Sequence, residues 1–535
     1  MKKYMNFSKI ILVSLSALLI VSLTSCDEWL NLKPESEIIL DEFWQSEADV
    51  ESVLAACYRG LTEDANIYRM IVWGELRSDN VVNGRFMRYD MQRIMEGDIT
   101  ATNPFVSWLS FYTIINYCNN LLYFAPEVVN RDVNFSQADL DRLRAEVLTI
   151  RALSYFYLVR AFKEVPLVLE PSIDDSQDYN LPKSSEQVII DQIIADLLVA
   201  RQFARNDFGR RDYNKGRVTK AAVNALLADV YLWAQRYDEC IAACNEVLSN
   251  PAYRLVDASL MLTQVFYLGN STESIFELQF EDNIQANNPV FYLFGNSQQE
   301  QGEFSFPATL AVDHVNNLVG AFSPFIYKVS TEVVESDKDV RYLDFIRPFG
   351  GKFHVFKYAG LARQETVQGL SLYRYRTSTS NWILYRLSDV ILMKAEALVQ
   401  KGKANPAEAV PAFTEAVQLV NRTYLRANPD NASDSLRLAN YPTAGDLELL
   451  VLRERQRELM FEGKRWFDLV RFARREGSTG TLNTFLMYKN PGSTTSSSVP
   501  VPDAMYFPIS QRELEANPKL EQNPYYKETG SSSKR

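Results

Sequence analysis

The sequence predicts a mostly α-helical body of paired helices, with irregular, partly β insertions set between the pairs. Three observations predict it. Residues 219–251 and 387–421 each read as two short helices joined by a turn, with small residues where the helices face one another. Ser136-Gln-Ala-Asp139 and Ser184-Ser-Glu-Gln187 have the spacing of a capping box, and each opens a stretch whose apolar residues recur at helical period. Residues 253–382 lose that period and show short alternating runs instead.

The first 25 residues read as an address, not as part of the fold. Lys2, Lys3 and Lys9 form a basic start, and residues 10–23 are an apolar run broken only by serines. The run falls short of the roughly 20 apolar residues that a membrane-spanning helix needs. It ends in Leu23-Thr24-Ser25-Cys26, which resembles a bacterial lipobox, whose cysteine becomes lipidated. The mature chain is therefore expected to start at Cys26 and to hold the membrane through acyl chains, each buried methylene contributing about 0.8 kcal/mol. Three regions follow on this reading: 26–250 and 251–528, both with helical repeats and the second also with the irregular insertion, and a disordered tail at 529–535.

Along the mature chain, residues 27–40 look extended. Residues 41–59 read as a helix with Phe43, Trp44, Val50, Val53 and Leu54 on one side. Residues 64–104, rich in Asn, Arg and Asp, read mostly as loops, and 105–124 as an apolar helix. The helix opened at Ser136 carries Leu143, Val147, Ile150, Leu153 and Tyr157, and Pro166 marks its end. Residues 165–182 form a proline-bounded crossing to the next helix, which carries Ile189, Ile193, Ile194, Leu197 and Leu198. In the pair at 219–251, Ala221, Ala225, Ala228 and Leu232 make one face and Ile241, Cys244, Val247 and Leu248 the other, with Arg236-Tyr-Asp238 as the turn. This resembles a tetratricopeptide repeat, in which small residues let antiparallel helices approach closely. A second copy puts Ala395 and Leu398 in equivalent places, and degenerate copies start at Leu148 and Asp446. Within the insertion, 274–281, 354–358 and 370–376 read as strands and 281–307 as loop. Residues 490–501 read as linker.

The formal charge of −11 becomes more negative once the three lysines of the leader are removed, which argues against nucleic acid or anionic headgroups as the main partner. Cys240 and Cys244, four apart on a helix, are poorly placed for a bridge and read as packing residues. With only His314 and His354, no HExxH, no GxSxG, no phosphate loop and no CxxC pair, the chain offers no recognisable catalytic or metal motif, and neither cofactor nor metal is expected. The charged run Arg453-Glu-Arg-Gln-Arg-Glu458 reads as a helix surface with internal ion pairs.

Five stretches in order carry a family resemblance. They are Glu146 to Leu158 with Val165-Pro166-Leu167, the pair from Lys220 to Leu248, Asn381 to Ala397, Arg453 to Arg471 with its Glu462-Gly-Lys-Arg465-Trp-Phe-Asp468, and the close Phe507-Pro508-Ile509 through Gln522-Asn-Pro524. Behind a lipobox, they resemble the SusD/RagB family of outer-membrane nutrient-binding lipoproteins. Tyr525 departs from that family's usual ending, where glycine is common. The resemblance implies a SusD-like helical body with tetratricopeptide-like pairs and partly β insertions that bear the ligand. It implies a non-catalytic, lid-like partner of a TonB-dependent (SusC-like) outer-membrane transporter that imports glycans or, in some members, peptides. It also implies surface exposure, with Asp27 and Glu28 resembling the acidic export signal of such lipoproteins.

Ligand residues are then a matter of chemistry. Sugars need an aromatic face for the C–H side of the ring and amides, carboxylates or guanidinium groups for the hydroxyls. Two regions offer both. One contains Tyr68, Trp73, Asp79, Asn80, Arg85, Phe86 and Tyr89, and the other Phe291, Tyr292, Phe294 and Asn296. Trp73, Asp79, Asn80, Arg85, Tyr89, Tyr292 and Asn296 are the candidates, with Trp73 and Tyr292 as stackers. The competing reading makes Trp73-Gly-Glu-Leu-Arg-Ser-Asp79 a folded structural turn with a buried ion pair. Surface glycoside hydrolysis stays open, because 67 acidic residues allow many carboxylate pairs.

Overall fold

Helix α1 (Glu47–Thr62) starts later than expected, at a reciprocal capping box between Ser46 and Asp49. The structure, a computed structural model, describes residues 43–529 except 174–175, 282–287, 296–301, 308–338, 350–351, 359–361, 364–372, 375–378, 430–434, 488 and 490–497. The signal segment, Cys26, the extended lead at 27–40, the tail beyond 529 and most of the 490–501 linker therefore lie outside the described residues. So do Asn296 and all of the predicted strand at 370–376 but Tyr373–Arg374 and its pairing with Ala362–Arg363.

The stretch 64–104 is more helical than its composition suggests. It holds α2 (Asp64–Ile71), a π-helical turn at Val72–Leu76, the short strand β1 (Val82–Asn83) and α3 (Tyr89–Met95). Gly74 sits in the π turn because a Cβ there would lie 1.8 Å from the Gly463 carbonyl oxygen. Next come α4 (Leu109–Arg131) and α5 (Gln137–Phe162), the latter opened by the predicted Ser136–Asp139 box. Helix α6 (Glu186–Phe203) starts one residue later than its motif suggests. Ser185 is the cap, accepting from the Val188 N–H, without the reciprocal bond of a box. Arg151 on α5 ties three helices together, forking onto Asp196 of α6 at 2.8 Å and donating to Asn119 of α4 at 2.9 Å.

After α7 (Arg211–Gly216), α8 (Lys220–Trp233) and α9 (Tyr237–Leu248) form the predicted pair. Ala225, Ala228, Cys240, Ala243 and Cys244 are all buried between helices, which small side chains permit. Cys57, Cys118, Cys240 and Cys244 are free, buried thiols. Strand β2 (Ser274–Leu278) realises the first predicted strand of the insertion. Helix α10 (Val290–Phe294) and β3 (Phe304–Phe306) occupy part of what was expected to be loop. Strands β4 (Ile346–Phe349) and β5 (Lys352–Val355) join β1 and β3 in an antiparallel sheet of order β1-β3-β5-β4. Strand β6 (Trp382–Arg386) pairs antiparallel with β2 and runs directly into α11 (Leu387–Ala404). Helix α12 (Ala409–Ala427) completes the second predicted pair, and α13 (Ala444–Leu459) and α14 (Arg465–Glu476) follow, near the expected degenerate copy.

Helix α13 overturns half of one expectation. Arg453 to Glu458 is not a helix surface: all six residues are buried. Glu454, Arg455 and Glu458 meet partners from distant segments, as charges must in a low-dielectric interior, while Arg457 keeps an internal ion pair with Glu454 at 2.9 Å. Glu458 and Glu454 meet Arg341 at 2.9 Å, Arg455 meets Asp389 and Asp468 at 2.9 Å, and Arg386 meets Glu273 and Glu458 at 2.6 Å. Lys357, just after β5, donates to Glu462 at 2.5 Å and to the Glu458 and Met460 carbonyls at 3.0 Å. The network fastens the insertion to the helical body.

Candidate functional site

Two loops far apart in sequence are knitted edge to edge. Asn83 pairs with Phe304, the Gly84 N–H donates to the Glu303 carbonyl at 2.8 Å, and Arg85 N–H donates to the Gly302 carbonyl at 3.1 Å. Gly84 permits this approach, since a Cβ would stand 2.5 Å from the Gly302 oxygen. Glu303 N–H in turn reaches the Tyr292 carbonyl at 3.1 Å, so α10 joins the same ledge.

The ledge pushes aromatic rings outward. Phe86 is 81% exposed, Tyr89 70% and Tyr292 52%. Phe86 adopts φ 61°, a backbone region that bulky residues rarely occupy. Such strain persists only where the surroundings impose it, and it is enriched at ligand clamps. The Arg85 guanidinium lies 4.8 Å from the centre of the Phe86 ring. Behind the rings, Arg88 pairs with Glu303 at 3.1 Å and lies 4.4 Å over Tyr68, which packs edge-on against Phe105. Burial pushes the Tyr68 hydroxyl up; the Arg88 charge opposes that, and Glu303 and Tyr292 add to it. Flat faces beside guanidinium, carboxylate and phenol groups can stack a sugar ring and bond its hydroxyls. Among the described residues no group of His, Cys, Asp and Glu could hold a metal ion.

The predicted residues divide. Arg85, Tyr89 and Tyr292 come together on this ledge, with Phe86 and Tyr68 from the same two regions. Trp73, Asp79 and Asn80 do not, and their assignment as ligand residues is corrected. Trp73 is fully buried, stacked 5.2 Å from Phe111, with its indole N–H on the Phe105 carbonyl at 2.8 Å. Asp79 is forked by Arg465, and Asn80 bridges Glu75 and Gln456. Burial alone would raise the Asp79 carboxyl, but Arg465 more than reverses this and holds it below its ordinary value. The competing reading of 73–79, a structural turn with a buried ion pair, is what the structure contains. Sequence reasoning missed Arg88 and Glu303. The only trace of their pairing is the glycine pair, Gly84 and Gly302, that lets their strands touch.

Two family models match the chain. One, described as "SusD family", matches residues 356–526, and another, "Starch-binding associating with outer membrane", matches residues 28–232. The chain belongs to the SusD family. A SusD-like protein, P38, of Formosa agariphila is 28% identical over 98% of this chain and 100% of its own length. SusD-like protein P2 of the same organism is 25% identical over 85% of this chain and 89% of its own. Among solved structures, a SusD homolog from Bacteroides thetaiotaomicron superposes with a TM-score of 0.70 at 20% identity, covering 92% of this chain and 99% of that one. A SusD superfamily protein from Bacteroides vulgatus gives 0.67 at 22%, covering 90% and 99%. The mostly helical SusD fold expected from the sequence is thus the fold observed.

Proposed function

We propose that this SusD family chain is a non-catalytic outer-membrane lipoprotein that captures a glycan on the Phe86–Tyr89–Tyr292 ledge. On this reading it passes the glycan to a TonB-dependent transporter. The observation that carries the proposal is the ledge itself, where aromatic rings are held out in water by a strained backbone and by two cross-linked loops. Exposed aromatic surface of this kind marks interaction sites. The description "Starch-binding associating with outer membrane" on the matching family model supports a carbohydrate ligand and that location. The Cys26 lipobox supplies the tether, which would keep the protein beside its transporter at high effective concentration.

The test is affinity electrophoresis of the full-length chain in gels that contain each of a panel of polysaccharides. Retardation by at least one glycan, lost in Phe86→Ala and Tyr89→Ala, is the expected result. Binding that survives both substitutions would move the site elsewhere. Release of new reducing ends from the retarding polysaccharide would replace capture by hydrolysis. Binding of oligopeptides with no glycan retarded would favour a peptide ligand.

A further inference from the structure

On another part of the molecule, the short helix α7 and the turns after α9 and before β2 enclose a hollow of about 400 Å3. Its floor holds Lys215, whose side chain is buried. The Lys215 ammonium donates to the Ser274 carbonyl at 2.6 Å and lies 4.2 Å from the centre of the Tyr253 ring. Among the described residues no carboxylate lies within 4 Å of it. An ammonium has three donors, and one acceptor leaves two without a partner. A buried cation normally has a counter-charge, because leaving it unpaired is costly.

The rest of the lining has the same sense. Arg211 uses Nε on the Asn270 carbonyl at 2.5 Å, which leaves its terminal nitrogens. Asn250 uses its oxygen on the Ala252 N–H, which leaves its amide donors. Arg210 is already forked onto Asp212. Asp207, the carboxylate among the described lining residues, accepts from the Gly209 N–H and the Asn214 amide.

We propose that this hollow is a second binding site, which takes an oxyanion (a carboxylate or sulfate group) between Lys215 and Arg211. It is separate from the aromatic ledge and does not rest on the capture reading. Guanidinium and ammonium donors bind such groups with short, charge-assisted bonds. The source is either a free anion or a charged substituent on a glycan.

Protonation gives the site a signature. Burial pushes the Lys215 ammonium down to about 8, with Glu277 pulling it up and Arg211 pushing it further down. An anion seated against Lys215 raises it again, so binding near pH 8 draws a proton from solution, of order half a proton per site.

The experiment is calorimetric titration of the full-length chain at pH 8 with sodium sulfate, sodium glucuronate, polygalacturonate and, as the neutral control, glucose. Buffers of different ionisation enthalpy report the proton. Saturable binding of an oxyanion with proton uptake, and none of glucose, is expected. Lys215→Met should weaken it about tenfold or more and abolish the uptake, and Arg211→Gln should weaken it as well. Lys215→Arg should keep binding without the uptake, which separates a lost charge from a lost fold. Sulfate and glucuronate of equal affinity point to a free anion, and a marked preference for polygalacturonate points to a glycan-borne one. No saturable oxyanion binding, or binding unchanged in Lys215→Met, overturns the proposal.

Discussion

Arg465 grips Asp79 through two parallel contacts, Nε to Oδ1 at 2.7 Å and a terminal nitrogen to Oδ2 at 2.9 Å, across 386 positions of sequence. Both side chains are buried, so neither charge has water to fall back on. The Gln456 amide adds a third contact to the same carboxylate at 2.9 Å. Arg465→Met leaves Asp79 buried and unpaired, and should cost about 3–5 kcal/mol in urea unfolding. Adding Asp79→Asn should recover part of that loss. A single Arg465 variant with wild-type stability would show that the pair holds nothing together.

Phe86 separates binding from stability. Its positive φ suits glycine better than phenylalanine, and its exposed ring contributes little to the core. Phe86→Gly should unfold within about 0.5 kcal/mol of wild type, the range usual for surface changes. The same variant should lose glycan retardation. A variant that unfolds much earlier would make Phe86 a packing residue.

Acid should loosen the helical body through Asp389. Burial would raise its carboxyl, but Lys464 and Arg455 override this and hold it down to about 2 from an ordinary 3.8. A carboxyl depressed in the folded state contributes stability that is complete above its unfolded value and lost as pH falls through the folded one. The unfolding midpoint should therefore drop between pH 4 and about 2, a window set by the two values of Asp389. The drop should be shallower in Asp389→Asn. Glu396, held low against its own burial by Arg471 and Arg475, acts in the same direction.

Lys489 predicts a slope of the same sign in alkali. Its ammonium is buried against the Leu76 and Ser78 carbonyls, at 3.1 and 3.0 Å. Burial lowers it to about 7 from 10.5, with Asp79 pulling it up and Arg77 pushing it down. The unfolded chain then binds the extra proton between those values, so this residue makes stability rise with pH from about 7 to 10.5. Urea midpoints measured across that range should show the rise in wild type and lose it in Lys489→Met.

The helix pairs were legible because their signal is local. Ala225, Ala228 and Cys240 announce close helix contact at fixed spacing, and Ser136 and Asp139 sit three apart in sequence as in space. The polar interior was not legible. Glu75, Asp79 and Asn80 look like solvent-facing residues until Gln456, Phe461 and Arg465 arrive to satisfy them. The same blindness made Arg453 to Glu458 look like a surface, and set Trp73 among aromatics that face water. Arg85, Tyr89 and Tyr292 could be picked out as aromatic and cationic residues in polar loops. That the loops meet depends on the register Asn83–Phe304, which no local pattern encodes.

The tie between Asp79 and Arg465 also has a consequence in time. At about 5–20 residues per second, a ribosome reaches position 465 some 20–80 s after position 79. Throughout that interval Asp79 lacks Arg465 and Gln456, and Glu75 lacks the Phe461 and Gly463 N–H groups, so the turn can pack Trp73 on Phe111 but cannot complete its buried polar contacts. This part of the chain thus completes its buried polar contacts only after most of the polypeptide has been made, which would suit the proposed export through a narrow channel.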